Sequence, residues 1–134
     1  MILVDTSVWI DFFRPAPGRA GAELRRMIEE AEPFALTGVI VTEILRGLRR
    51  DVHRIERYLS LWEMIEPRGF STYREASTIS RLGRSKGISL TTIDSLIATI
   101  ALEHGAILFS MDKDFSRIAR VAALHLYSLP EPAA

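Results

Sequence analysis

The sequence predicts an α/β fold in which a parallel sheet is flanked by helices. Three observations carry that expectation. Short, mainly apolar runs at 2–4, 34–36, 64–66, 106–109 and 124–127 have the length and composition of buried strands. Between them lie segments whose apolar residues recur with helical spacing. Strands that alternate with helices in this way build parallel sheets. Acidic residues also stand directly after two of the strand runs, and open parallel sheets gather their ligands beyond the carboxyl ends of strands.

Taken in order, Ile2 to Val4 reads as a central strand and ends at Asp5. Ser7 to Phe13 reads as a short helix capped by Thr6 or Ser7. Pro15 to Gly18 is a loop, because proline and glycine in close succession break regular structure. Ala20 to Glu30 is helical, with Leu24, Met27 and Ile28 as its apolar stripe. Phe34 to Leu36 is the second strand, and Thr37-Gly38 marks a turn. Val39 to Arg49 is helical, with Val41, Ile44, Leu45 and Leu48 toward the core and Glu43 at the margin of that face. Asp51 to Leu61 continues as another helix. Met64 to Glu66 is a third strand, stopped by Pro67 and Gly69. Ser71 to Arg84 is a long helix opened by Ser71 or Thr72 and closed by Lys86-Gly87. Thr92 to His104 is the most apolar helix, with Ile93, Leu96, Ile97, Ile100 and Ala101 on one face and Gly105 after its end. Ala106 to Phe109 is a buried strand, Asp114 to Val121 a short helix and Leu124 to Tyr127 a last strand.

The chain has 134 residues, which fits a single domain spanning 1–134. Apolar residues make up 48% and charged residues 25%, the balance of an ordinary globular protein. Cationic and anionic side chains both number 17, so any attraction for nucleic acid must come from local patches. The absence of cysteine excludes disulfides, thiolate metal sites and a cysteine nucleophile. No basic segment precedes the opening apolar residues, and no stretch approaches the length of a membrane span. The expected location is therefore the cytoplasm.

Four acids stand out. Asp5 and Asp112 follow two strands that read as neighbours, Asp94 lies in the first turn of the most apolar helix, and Glu43 lies inside a helix. Each has an ordinary structural role open to it. Asp5 and Asp94 suit helix starts, where the dipole favours anions. One of Asp112 and Asp114 suits a helix cap, and Glu43 suits a pair with Arg46 or Arg50. Brought together, such carboxylates repel, by roughly 4 kcal/mol per pair at 4 Å and an effective dielectric near 20. A hard divalent cation such as Mg2+ or Mn2+ is the natural partner for clustered oxygen ligands. Helical spacing alone leaves the position of Asp94 relative to the sheet edge open.

In four segments the chain resembles the PIN-domain family, in particular its VapC-like toxins of toxin–antitoxin pairs. These segments are MILVDTSVWIDFF around Asp5, VTEILRG around Glu43, TTIDSLIATIALEHGA around Asp94 and LFSMDKDFSRIA around Asp112. The resemblance covers nearly the whole chain. Ser110 stands where family members often carry threonine, and keeps the hydroxyl. The resemblance implies a three-layer α/β/α fold with a central parallel sheet of four to five strands. It implies that Asp5, Glu43, Asp94 and Asp112 meet in one catalytic pocket, with Asp5 and Asp94 as principal metal ligands. Thr6, Ser7 and Ser110 would support the pocket, and Asp114 would stand at its outer edge, chiefly as a cap. The implied activity is a Mg2+- or Mn2+-dependent endoribonuclease acting on RNA. The implied partners are a VapB-like antitoxin and a second copy of the chain.

These residue types suit phosphodiester cleavage, in which a cation polarises the phosphoryl oxygen and activates water. Glu43 is the candidate for positioning or deprotonating that water. His53, His104 and His125 lie outside the acidic segments, which disfavours a metal-free histidine mechanism. Arg46, Arg49, Arg50, Arg54 and Arg57 form one basic group, and Arg81, Arg84 and Lys86 a second; either suits phosphate binding. Trp9, Phe12, Phe13, Tyr58, Leu61 and Trp62 are core material or the lining of a groove for a partner. A PIN nuclease of RNA processing without an antitoxin is the near alternative. A phosphorylatable signalling module and an aspartate-nucleophile phosphatase fit poorly. Thr6-Ser7 replaces the second acid after the first strand, and no lysine follows the last one.

Overall fold

The computed structural model describes residues 1–131 of the chain. Its elements run β1 (Ile2–Val4), α1 (Thr6–Phe13), α2 (Arg19–Glu29), β2 (Phe34–Leu36), α3 (Gly38–Arg46), α4 (Val52–Leu59), β3 (Glu63–Met64), α5 (Phe70–Ser85), α6 (Thr92–Glu103), β4 (Ile107–Phe109) and α7 (Asp114–Ile118). The four strands form one parallel sheet in the order β3-β2-β1-β4. Helices flank it in a three-layer α/β/α arrangement. Ile2 pairs with Phe34 on one side and Ile107 on the other, so β1 is central and its side chains must be apolar on both faces. Leu3, Val4, Ala35, Leu36 and Leu108 have no exposed surface. Fully burying one such aliphatic side chain stabilises the fold by about 1.5–3 kcal/mol.

The register fixes where the chemistry can sit. Because all strands run the same way, Asp5, Thr37 and Ser110 emerge together at one edge. A bond from the Asp5 backbone N–H to the Phe109 carbonyl, 2.8 Å, ties the ends of β1 and β4 there. The expected fifth strand at 124–127 is reduced to a single bridge between Leu108 and Leu126, with bonds from Leu108 N–H to the His125 carbonyl and from Tyr127 N–H to the Leu108 carbonyl. The segment lies on the sheet edge without extending a ladder.

Several local expectations shift. Thr6 and Ser7 do not cap α1; Asp5 holds the N-cap position, and the two hydroxyls reach other side chains. Gly69 rather than Ser71 or Thr72 precedes α5, and the Thr72 hydroxyl donates to Glu103 while accepting from the Arg68 N–H. Helix α3 ends at Arg46; its fully buried residues are Ile40 and Ile44, while Val41, Leu45 and, beyond the helix, Leu48 pack at the edge of the core. Ile93 of α6 is exposed, whereas Ser95, Ala98 and Thr99 are buried. The reason is position: α6 packs against α3, α5, α7 and β4, so most of its circumference is covered and small polar residues are enclosed with the large ones. Ser95 meets Ser80 of α5 hydroxyl to hydroxyl at 2.7 Å, and Thr99 donates to the Ser95 carbonyl, which satisfies them. Gly105, at φ +60°, ends α6 in the left-handed conformation that a side chain would strain.

Two buried acids have structural work. Asp11 in α1 accepts the backbone N–H groups of Gly18 at 3.1 Å and Gly21 at 2.7 Å, so it caps the start of α2 from a neighbouring helix. A Cβ at Gly21 would lie 2.8 Å from α1 backbone atoms, which shows how closely the two helices approach. Glu23 pairs with Arg26, which also reaches Glu30 and Glu32. Trp9 is fully buried and stacks on Phe13, with Phe12, Phe34 and Tyr58 around it. Phe12, Phe13, Ile55, Tyr58 and Arg54 line a groove of about 250 Å3 beside α4, while Leu61 stands exposed outside it. Among the described residues, no helix is long and apolar enough to cross a membrane.

Candidate active site

The carboxyl edge of the sheet supplies the first acid. Asp5 follows β1 directly, so its backbone is held by the ladder and its side chain is only 5% exposed. Burial raises its pKa. The Ser110 and Ser7 hydroxyls oppose that rise, donating to the same carboxylate oxygen, Oδ2, at 2.7 and 3.0 Å. The same serines brace the loop after β4: Met111 N–H donates to Ser7 Oγ and Asp112 N–H to Ser110 Oγ, each at 3.0 Å.

Asp94 enters from α6. Thr91 caps that helix by accepting the Asp94 backbone N–H at 3.1 Å, which fixes the first turn and aims the carboxylate. The Asp94 pKa is pushed up to about 6. Burial is the main cause, opposed by Thr91 and reinforced by repulsion from Asp112, Asp5 and Asp114. The charge of Asp5 is thus among those felt at Asp94. Carboxylate oxygens of Asp94, Asp112 and Asp114 all lie within 4.8 Å of one another. Asp112 also accepts the Asp114 backbone N–H at 2.9 Å, and Asp114 pairs with Arg117 at 3.3 Å.

Glu43 stands on α3, half-buried, and accepts the Thr6 hydroxyl at 2.8 Å. It is thus joined to the residue next to Asp5, though it lies outside the three-carboxylate cluster. The structure brings Asp94, Asp112 and Asp114 together and ties Asp5 to the loop carrying Asp112 through Ser110, while Glu43 is joined only to Thr6. Asp114, read from the sequence chiefly as a cap, has its carboxylate inside the tightest acidic group, whereas Asp5 is more deeply buried and outside that group. The signal lay in the spacing of Asp112-Lys113-Asp114, two acids two residues apart at the start of a helix. All-oxygen donors at this spacing suit a hard divalent cation, which would relieve the repulsion among them.

The histidines stand apart from this cluster. His53 is an exposed partner of Glu56, and His104 bonds the Glu66 carbonyl at 2.8 Å.

The chain belongs to the PIN-domain family, which matches it over residues 2–121. Ribonuclease VapC11 of Mycobacterium tuberculosis is 37% identical over 132 residues, covering 96% of this chain and 98% of that protein. A VapC ribonuclease of Mycobacterium bovis matches equally. Among solved structures, VapBC2 from Rickettsia felis bound to a DNA fragment from its promoter superposes with a TM-score of 0.74 at 18% identity, covering 95% of this chain and 98% of that one. VapBC-1 from nontypeable Haemophilus influenzae gives 0.74 at 18% identity over 96% and 98% of the two chains. These structural likenesses carry the fold. The sequence likeness carries the family.

Proposed function

We propose that this chain is a Mg2+- or Mn2+-dependent endoribonuclease and the toxin of a VapBC-type toxin–antitoxin pair. The observation that carries the reading is the convergence of Asp94, Asp112 and Asp114, and the burial of Asp5, at the carboxyl edge of a PIN-domain sheet. The likeness to VapC ribonucleases over almost the full chain supports RNA as the substrate.

Asp94, with Asp112 and Asp114, would hold the cation, and Asp5, expected with Asp94 as a principal ligand, would contribute directly or through water. The bound ion supplies Lewis-acid polarisation of the phosphoryl oxygen and lowers the pKa of water. The protein residues divide the remaining tasks. Glu43 orients the attacking water or accepts its proton, and Thr6 fixes the carboxylate by donating to it. Ser7 and Ser110 donate to Asp5 Oδ2 and so favour its ionised form against the effect of burial. Water oxygen bonds to phosphorus as the bond to the 3′ oxygen breaks, and that oxygen leaves with a proton. The products carry a 5′ phosphate and a 3′ hydroxyl.

The aromatic groove beside α4 suits the apolar segment of a VapB-like antitoxin, and a homodimer is the expected assembly. The solved relatives named as VapBC complexes support such a partner. The decisive experiment is mapping of RNA ends in cells after brief expression, with Asp5→Asn as control. New 5′-phosphate ends should accompany growth arrest, vanish with Asp5→Asn and be suppressed by the cognate antitoxin. Identical RNA ends from the two chains would exclude the proposed reaction.

A further inference from the structure

We propose that the groove between α5 and α6 binds the single-stranded RNA that flanks the cleaved phosphodiester, with Arg81 and Arg84 neutralising its phosphates and Tyr73 stacking on a base. The proposal rests on the ribonuclease reading above and adds to it a binding surface outside the acidic cluster.

The groove measures about 350 Å3 and continues into a second hollow of about 290 Å3 that shares Ser80, Arg84 and Leu90 with it. No aspartate or glutamate lines either part. In a chain with as many acids as bases, two arginines without an acid between them make a local positive strip. Among the described residues, neither Arg81 nor Arg84 forms an ion pair. In the other basic group two members have acids beside them. Arg54 pairs with Asp51 at 3.3 Å, and Arg57 shares a hollow with Glu56 and His53. Arg81 and Arg84 are unpaired and line hollows without acids, whereas Arg54, which lines the acid-free groove beside α4, is held by Asp51.

Its placement relative to the acids favours a nucleic-acid strand over a small anion. Thr92, Ser95 and Leu96 form one wall of the groove, and Asp94 belongs to the same first turn of α6. At about 100° per residue Asp94 projects from the other flank of that turn, toward Asp112 and Asp114. Groove and acidic cluster thus open on opposite sides of one helix end, a helix diameter of about 10 Å apart. A few nucleotides crossing that end would place one phosphate at the acids and its neighbours between the arginines. Tyr73, 53% exposed at the groove rim, offers a free aromatic face, and stacking on such a face tolerates any base.

The test measures binding and cleavage separately. The binding probe is a fluorescein-labelled single-stranded RNA of mixed sequence, followed by anisotropy in EDTA so that nothing is cut. The wild type should bind with marked salt dependence. Arg81→Ala with Arg84→Ala should weaken binding by about tenfold at low salt and reduce the log–log salt slope by about 1.4, the value for two single-strand phosphate contacts. Tyr73→Ala should weaken binding about fivefold and leave the slope unchanged. In Mg2+, the double variant should cleave the same RNA with raised KM and near-normal kcat. Both arginines are exposed, so its melting temperature should match wild type. Arg84 also stands in the last turn of α5, where a cation complements the helix dipole. A purely structural role there would lower the melting temperature and leave the salt slope intact, which overturns the proposal. If wild type cleaves RNA while the double variant keeps its slope and KM, the groove is refuted and the ribonuclease reading stands. If wild type neither binds nor cleaves RNA, both fall together.

Discussion

Asp94→Asn should stabilise the metal-free protein while removing its activity. The wild-type carboxyl titrates near pH 6 rather than 3.8, a shift of about two units. At roughly 1.36 kcal/mol per unit, the folded state above pH 7 would carry a penalty of at most about 3 kcal/mol. Asp94 is only half-buried, so solvent screens part of that. Asparagine also gives up the favourable interaction of a first-turn anion with the helix dipole, about 0.3–1 kcal/mol. The net gain should be about 1–2 kcal/mol, or about 4–7 °C in Tm for a domain of this size.

The sign follows from proton binding. The folded pKa is raised, so the folded state holds the proton more tightly than the unfolded chain. Below about pH 3.8 both states are protonated and the penalty is absent. It develops as pH rises from there to about 6 and is constant above that. Thermal melts in EDTA from about pH 4.5 to about pH 8 should therefore show the advantage of asparagine growing and then levelling. Saturating Mg2+ or Mn2+ should reverse the order, because an ion that binds only the folded wild-type site adds about 2.7 kcal/mol at one hundred times its Kd. An Asp94→Asn protein that melts at or below wild type at high pH without metal would refute the idea that carboxylate repulsion and burial strain this site.

Three further outcomes are expected. Ser110→Ala should lower Tm by the equivalent of about 1–2 kcal/mol and weaken metal binding, since buried Asp5 loses one of two hydroxyl donors; Ser110→Thr should restore both, and calorimetric metal titration with melting checks this. Glu43→Gln should reduce kcat for RNA cleavage about 10²–10⁴-fold with little change in Tm, because glutamine still accepts the Thr6 hydroxyl but cannot take a proton; an unchanged kcat removes Glu43 from proton transfer. Gly21→Ala should destabilise by about 1–3 kcal/mol, since its Cβ would press on the backbone at Asp11 and Phe12; an unaltered denaturation midpoint would mean that α1 and α2 separate at no cost.

Much of the fold was readable because buried parallel strands are short and uniformly apolar. Ile2–Val4, Phe34–Leu36 and Ile107–Phe109 stand where such runs occur. The third strand is Glu63–Met64, exposed and sharing only Met64 with the expected 64–66, and the run at 124–127 became a single bridge, since apolar sequence does not specify a hydrogen-bonding partner. The face of α6 was misjudged for a related reason. A helix enclosed by several neighbours has no single apolar stripe, so Ser95 and Thr99 could be placed inside only once the helices around them were known. Asp11 and Glu23 were invisible as buried acids, because their partners are backbone N–H groups of another helix and an arginine network.

By itself the sequence determined that strands alternate with helices, that Asp5 and Asp112 follow short apolar runs, and that Asp94 opens the most apolar helix. Those are properties of short-range pattern, set by side-chain burial and backbone geometry within a few residues. Only the tertiary structure decided that Asp94 reaches Asp112 and Asp114, that Asp114 joins the tightest acidic group, and that Ser7 and Ser110 converge on one oxygen of Asp5. These contacts link positions as far as 105 residues apart, and their distances depend on how helices pack onto the sheet. No local pattern encodes that packing, because it is the joint outcome of every buried surface in the domain.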